Sequence, residues 1–248
     1  MRVKVFKKMY LVILTIFVIL MSSSCKNDDP FHAKESGDWI YTIDVCGEGE
    51  CAILGLSEIG KTREIIVFPT EIEGLKVVKY GKQKGYKFSP DIVFDNCKKI
   101  YCNYSYITIR TSIIFGNQEM VGYFPHKFSG STMNPLCQCE KNSNATLYLS
   151  QDLYDYNKNI KNWVERECLV ANIEYYLDDK NCFFVDNVEK GKIEIIPPKP
   201  FKDDLIFDGW YYNDIEWDFV NNLVEDYLDE NNRLRLVAKW EKDIDSIV

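Results

Sequence analysis

The chain has 248 residues, 46% of them hydrophobic and 27% charged, with a formal net charge of −8. That is the ordinary composition of a globular protein, and the length allows one large domain or two small ones. Four of the 30 basic residues (Arg2, Lys4, Lys7 and Lys8) precede the first apolar run with no acid among them, which leaves 26 basic against 38 acidic side chains in the remainder. A body that acidic repels phosphate backbones, so the charge speaks against nucleic acid as a partner.

The opening "MRVKVFKKMYLVILTIFVILMSSSCKNDD" places basic residues, an apolar run from Met9 to Met21 and three serines ahead of Cys25. This is the layout of a secretory signal, and the run is shorter than the roughly 20 residues that span a bilayer as a helix. Residues 1–24 are therefore expected to be a signal peptide, with an uncleaved N-terminal anchor as the alternative. Ser22-Ser23-Ser24-Cys25 resembles the lipobox of bacterial lipoproteins, although Ser22 stands where leucine is usual and Leu20 lies further back. The resemblance implies lipidation at Cys25, a membrane partner through that anchor, and an extracytoplasmic location. Residues 25–36 are then a lipid-anchored linker.

Eight cysteines remain: Cys46, Cys51, Cys97, Cys102, Cys137, Cys139, Cys168 and Cys182. An even number in an exported chain points to disulfides. "CGEGEC" makes Cys46–Cys51 the one pairing expected, across a Gly-rich turn. Two Cys-x4-Cys spacings raise zinc as a rival, without the tight two-residue knuckle of common zinc sites. Buried free thiols are the third reading. No cofactor and no metal is assigned.

From Gly37 to Cys51 the chain reads as a hairpin, "WIYTIDV" returning as "CAILGL". Ile65 to Phe68 is a short β-prone run stopped by Pro69, and "GLKVVKYG" is another. Short strands of this kind, set about 10 to 12 residues apart with turn residues between, predict an all-β sheet or a solenoid. "EIIVFPTEIEGLKVVKYG" and "FDNCKKIYCNYSYITI" resemble BspA-type leucine-rich repeats. That resemblance turns Cys97 into the coil interior as a buried thiol. "GYFPHKFSGSTMNPLCQCEKNSN" interrupts the pattern.

"TLYLS" is a strand, and Ser150 is a helix N-cap with Asp152 in the first turn. Leu153, Tyr156, Ile160, Trp163 and Val164 follow at helical spacing, so Gln151 to Glu167 is expected to be an amphipathic helix. "LVANIEYYL" is one further strand. The whole resembles the closing unit of such repeat arrays, and any small β-α-β segment would look similar. The module spans 37–180.

The stretch from Asp186 to Trp240 resembles the Listeria–Bacteroides repeat, or B-repeat. Gly191, Pro197, Pro198 and Pro200, "F-x-G-W-Y" at Phe207 to Tyr211, "W-D-F" at Trp217 to Phe219, and "L-x-A-K-W" ending at Trp240 carry the match. "DDLI" and the acidic stretch from Val220 to Arg233 depart from it. The resemblance implies a small β-grasp domain over 181–241, followed by a tail at 242–248. A domain of about 60 residues buries little surface, and large aromatics supply the most buried area per residue. Trp210, Trp217 and Trp240 are therefore expected to form an aromatic core, with a sugar platform as the alternative.

The fold class expected is thus α+β, mostly β: a short leucine-rich-repeat-like β module with one amphipathic helix, then a small β-grasp domain. His32 and His126 are the chain's two histidines, and no nucleophile elbow, zinc-protease, P-loop or dinucleotide motif is present. The paired acids at 28–29, 178–179 and 203–204 read as solvated faces. "DYLDENN" offers oxygens without a calcium-loop spacing. The chain is read as a non-enzymatic surface lipoprotein for adhesion or protein–protein contact, its partner an extracellular protein or glycan. A carbohydrate-binding module is the alternative, and a hydrolase working through His126 or distant carboxylates is a third reading.

Overall fold

β-branched and aromatic runs broken by Gly and Pro make short strands, and winding those strands into sheets is what this chain does. The computed structural model describes residues 32–80, 92–94, 96–103, 108–109, 113–115, 120–125, 146–158 and 168–243. The signal peptide, Cys25, Cys137, Cys139, His126, Trp163 and the end of the expected helix lie outside these residues. Residues 32–248 cluster as one compact unit. The architecture is α+β and mostly β.

The first sheet starts earlier than the expected linker allows. β1 (Lys34–Ser36) pairs antiparallel with β2 (Trp39–Thr42), so the linker ending at 36 loses its last three residues to a hydrogen-bonded strand. β2 pairs antiparallel with β3 (Glu50–Leu56), as the hairpin reading predicts. β3 then lies parallel to β6 (Leu75–Tyr80), whose other neighbours are β5 (Glu71–Ile72) and β9 (Thr108–Ile109). Glu73 and Gly74 both take positive φ in the two-residue turn joining β5 to β6, the conformation a tight hairpin demands.

The second sheet is wholly parallel and runs in chain order. β4 (Ile65–Val67), β8 (Lys99–Tyr101), β11 (Val121–Phe124), β12 (Thr146–Leu149) and β13 (Cys168–Val170) each pair with the next. β7 (Ile92–Phe94) pairs parallel with β10 (Ile113–Phe115). Hence β6, β7 and β8 are matched in turn by β9, β10 and β11, and the chain winds one coil directly upon another. Side chains alternate across the parallel sheet. Ile66, Ile100, Leu147 and Leu149 turn inward to a core shared with Cys51, Cys97 and Phe68. Gly122 lies in that inward row, where an added Cβ would fall 2.5 Å from the Phe124 ring.

One α-helix is described, α1 (Gln151–Lys158). Ser150 caps it as expected, its Oγ accepting the Leu153 N–H at 3.2 Å. The buried Glu174 carboxylate accepts the Gln151 N–H at 2.6 Å, a negative charge at the positive end of the helix dipole.

The third sheet has the order β15-β14-β18-β16-β17. β14 (Ile173–Tyr176) and β18 (Leu234–Lys242) form a central parallel pair. β15 (Cys182–Asp186) lies antiparallel on one side, and β16 (Leu205–Tyr212) with β17 (Ile215–Glu216) on the other. The connection from β15 to β16 carries Pro197, Pro198 and Pro200 and has no regular structure, as three missing N–H groups require.

This sheet moves the expected boundary at 180/181, because β14 is already part of it. "LVANIEYYL" is two strands and not one. β13 ends the parallel sheet, Ala171 and Asn172 break the extended run, and β14 opens the next sheet. The break is held by three hydrogen bonds to two partners. The Asn172 amide accepts the Val188 N–H at 3.0 Å and donates to the Val188 carbonyl at 2.8 Å, while its own carbonyl accepts the Leu234 N–H at 2.8 Å.

Candidate functional site

The residues singled out in the sequence are, where described, structural. Trp210 and Trp217 are 3% and 4% exposed, so Trp217 offers no ring to a sugar. Trp240 is half-buried at the margin of the same core, its indole N–H donating to the Leu177 carbonyl at 3.1 Å. Cys46 and Cys51 are both free, contrary to the expected disulfide. β3 turns Cys51 wholly into the core beside Leu75, and burial pushes its thiol up to about 12, whereas Cys46 stays in the half-buried turn. Cys97 is a free thiol, 2% exposed, as the repeat resemblance implies. Among the described residues, no group of three His, Cys, Asp or Glu could hold a metal ion. Asp229 of "DYLDENN" spends its carboxylate on the Asn231 and Arg233 N–H groups of its own turn.

The feature that sequence reasoning passed over is the outward face of the parallel sheet. Register aligns Val67, Tyr101, Tyr123, Tyr148 and Leu169 in one row across five strands. Tyr101 and Tyr123 stack 4.1 Å apart at 2°, and Tyr123 and Tyr148 stack 5.3 Å apart at 13°. The third sheet covers the first part of this row: Phe184 of β15 stacks on Tyr101 at 5.5 Å. Tyr101 and Tyr123 are consequently buried. Tyr148 and Leu169 emerge from under the cover.

There the row becomes the floor of an open groove of about 390 Å³. Asn187 and Glu189 of the segment leaving β15 form one wall, and Asn231, Asn232 and Arg233 of the turn entering β18 form another. Val170 to Asn172, the break between the two sheets, closes the end. Each wall is fixed by local hydrogen bonds. Asn172 clamps Val188 between Asn187 and Glu189. Asp229 ties the second turn, Asn232 takes the left-handed conformation (φ 60°) that the reversal needs, and the Arg233 guanidinium donates to Gln151 of α1. Besides Asn172, whose amide is engaged with Val188, the groove thus presents three amides, a carboxylate and a guanidinium around a floor of Tyr148 and Leu169. Such groups orient and discriminate a polar ligand by hydrogen bonding.

A buried carboxylate lies beside this groove. Asp186 is 2% exposed and accepts the Asn187 N–H at 2.8 Å and the Tyr101 hydroxyl at 3.2 Å. Burial raises its pKa to about 6, against the opposing pull of those two donors and of Lys99. Burial raises the Tyr175 hydroxyl too, with Asp186 adding to it; that hydroxyl is buried and has no hydrogen-bond partner among the described residues. The same two causes, in the same order, push Tyr123 up to about 12.

A signal for the row was present in the sequence. "KIY", "VGYF" and "TLYL" each place a tyrosine after a small or aliphatic residue, at the same level of three successive strands. The walls carried no such signal, because they come from turns far apart in the chain. A scan against protein-family models finds no matching family, and comparisons with curated proteins and with solved structures find no match to this chain.

Proposed function

We propose that the chain is a non-enzymatic, lipid-anchored surface protein that recognises an extracellular protein partner through the groove between its second and third sheets. The observation that carries the reading is the groove's construction: an aromatic floor from one sheet meets polar walls from the other, so the site exists only where the two are joined. Five parallel strands in chain order support reading the first part as a degenerate leucine-rich-repeat-like coil. A central parallel pair flanked by hairpins supports reading the last part as a β-grasp B-repeat, begun at Ile173. Function resides in the site and not in either fold. The basic-apolar-Ser-Cys25 leader supports the anchor and the extracytoplasmic address. Among the described residues no helix is long and apolar enough to cross a membrane.

The test is a binding screen of the purified chain against host and bacterial surface proteins, followed by Asn187→Ala and Arg233→Ala. Saturable binding that weakens at least tenfold in both variants, and is kept in Ile215→Ser on a distant exposed edge, supports the reading. Saturable binding indifferent to both groove changes overturns the site, and no saturable partner overturns the adhesive role. A glycan is the second reading, favoured by the three amides beside Tyr148, and a glycan array with the same variants separates the two.

A further inference from the structure

Asp186 touches the groove by two independent routes. Its carboxylate holds the backbone N–H of Asn187, a wall residue, and the hydroxyl of Tyr101, whose ring begins the stack that ends on the floor at Tyr148. We propose that Asp186 is a proton-operated latch that gives the groove two forms, one tethered when the carboxylate is ionised and one released when it is protonated. This rests on the reading of the groove as the recognition site, and names its regulation.

The groups that face Asp186 fix the sense of the latch. Tyr101 and Lys99 approach from β8, Tyr123 from β11 and Tyr175 from β14, and Glu194 stands on the segment that follows β15. An ionised carboxylate accepts from both Asn187 and Tyr101 as charge-assisted bonds, the stronger kind. On protonation these bonds weaken and the carboxyl gains a donor hydrogen of its own. The Tyr175 hydroxyl, which has no hydrogen-bond partner among the described residues, is a buried oxygen within the field of that carboxyl, and a proton-bearing Asp186 has reason to turn toward it. Turning away from Asn187 and Tyr101 releases the Asn187 N–H and the head of the stack together, while the Asn172 clamp keeps Val188, and with it the course of the wall, in place. Desolvation places this change near pH 6, inside the range an extracellular surface meets.

The experiment is a pH titration of the full chain, isotope-labelled, followed by NMR from pH 4.5 to 7.5. The Asp186 carboxyl carbon is expected to titrate near pH 6, with the backbone amides of Asn187, Tyr148 and Leu169 following the same midpoint. In Asp186→Asn those amides should stay flat over that window. Tyr101→Phe, which keeps the carboxylate and removes one donor to it, should move the midpoint upward. A carboxyl midpoint near the ordinary value of about 4, groove amides that ignore the Asp186 titration, or groove amides that still titrate in Asp186→Asn would each overturn the latch. No ligand enters the measurement, so a failed partner screen and a failed latch are told apart.

Discussion

Ile100 and Tyr101 are neighbours in one strand, and they face two different solvents. Ile100 enters a core made mainly of aliphatic, aromatic and thiol side chains, where its own fit is a matter of shape, and it is fully buried. Tyr101 enters the interface between two sheets, equally buried, where a hydroxyl must find a partner and finds a carboxylate. The inward face is therefore sensitive to volume and indifferent to pH. The outward face is sensitive to both, because each tyrosine brings a polar atom into the dry region and one acid answers it. Two sheets glued through tyrosines can respond to protons; two glued through isoleucines cannot.

The largest expected effect tests whether the aromatic core is packing or platform. Trp217→Ala removes a 4% exposed ring that meets Tyr227 edge-on at 4.9 Å, and should cost about 3–5 kcal/mol. Chemical denaturation checks it, and an unchanged midpoint would mean that the indole is not core. Ile100→Ala should cost about 2–5 kcal/mol through its cavity, and the same amount at pH 5 and pH 7.5. A pH-dependent cost there would erase the contrast between the faces.

A subtler break of the inward face is to overfill it. Gly122→Ala puts a methyl 2.5 Å from the Phe124 ring and 3.0 Å from Leu147, with both neighbours themselves buried. Overpacking of this kind should cost about 1–3 kcal/mol, again without pH dependence. Calorimetry at two pH values reads both properties.

Asp186→Asn sharpens the outward side, and its sign is opposite. The folded-state pKa of Asp186 lies above the ordinary carboxylate value, at about 6. Between pH 4 and 6 the folded protein therefore holds a proton that the unfolded chain has released, and stability falls as pH rises through that window. Above it, keeping the charge buried costs the fold about 2–3 kcal/mol. The Asn variant avoids that cost. It should be more stable than the native chain at pH 7.5, by up to this amount, and no more stable near pH 4. Urea unfolding at the two pH values measures the difference, and a variant less stable at both would show that the hydrogen bonds outweigh the desolvation.

The contrast between faces also explains what the sequence disclosed. Local rules were readable: Ser150 ahead of a helix, Pro69 ending a strand, tryptophans too large to leave outside a small domain. The break at Asn172 was not, because every residue from Leu169 to Tyr176 except that one favours or tolerates extension. Its role depends on Val188 and Leu234, which only the fold brings near. The thiol of Cys51 departs from its local pattern for a related reason. Spacing across a turn favoured a disulfide with Cys46, while the inward face of β3 decided otherwise. The tyrosine row was legible in principle, strand by strand, yet its walls were assembled from turns and could not be.

The smallest effect probes the contact between sheets away from the tyrosines. Lys76 on β6 meets Asp203 of the β15–β16 connection at 3.4 Å, with side chains 44% and 92% exposed. A pair so exposed is screened by water and salt, and Lys76→Ala should cost no more than about 1 kcal/mol. Nearby, Thr70 donates its hydroxyl to the Lys199 carbonyl at 2.6 Å from a largely buried position. Thr70→Val keeps the shape and removes that donor, and should cost about 1 kcal/mol or slightly more. If the ion pair proved the stronger of the two, the third sheet would be held by surface charge, and high salt would loosen it. If the hydroxyl is stronger, as burial argues, salt leaves the junction intact and the sheets are held by what they bury.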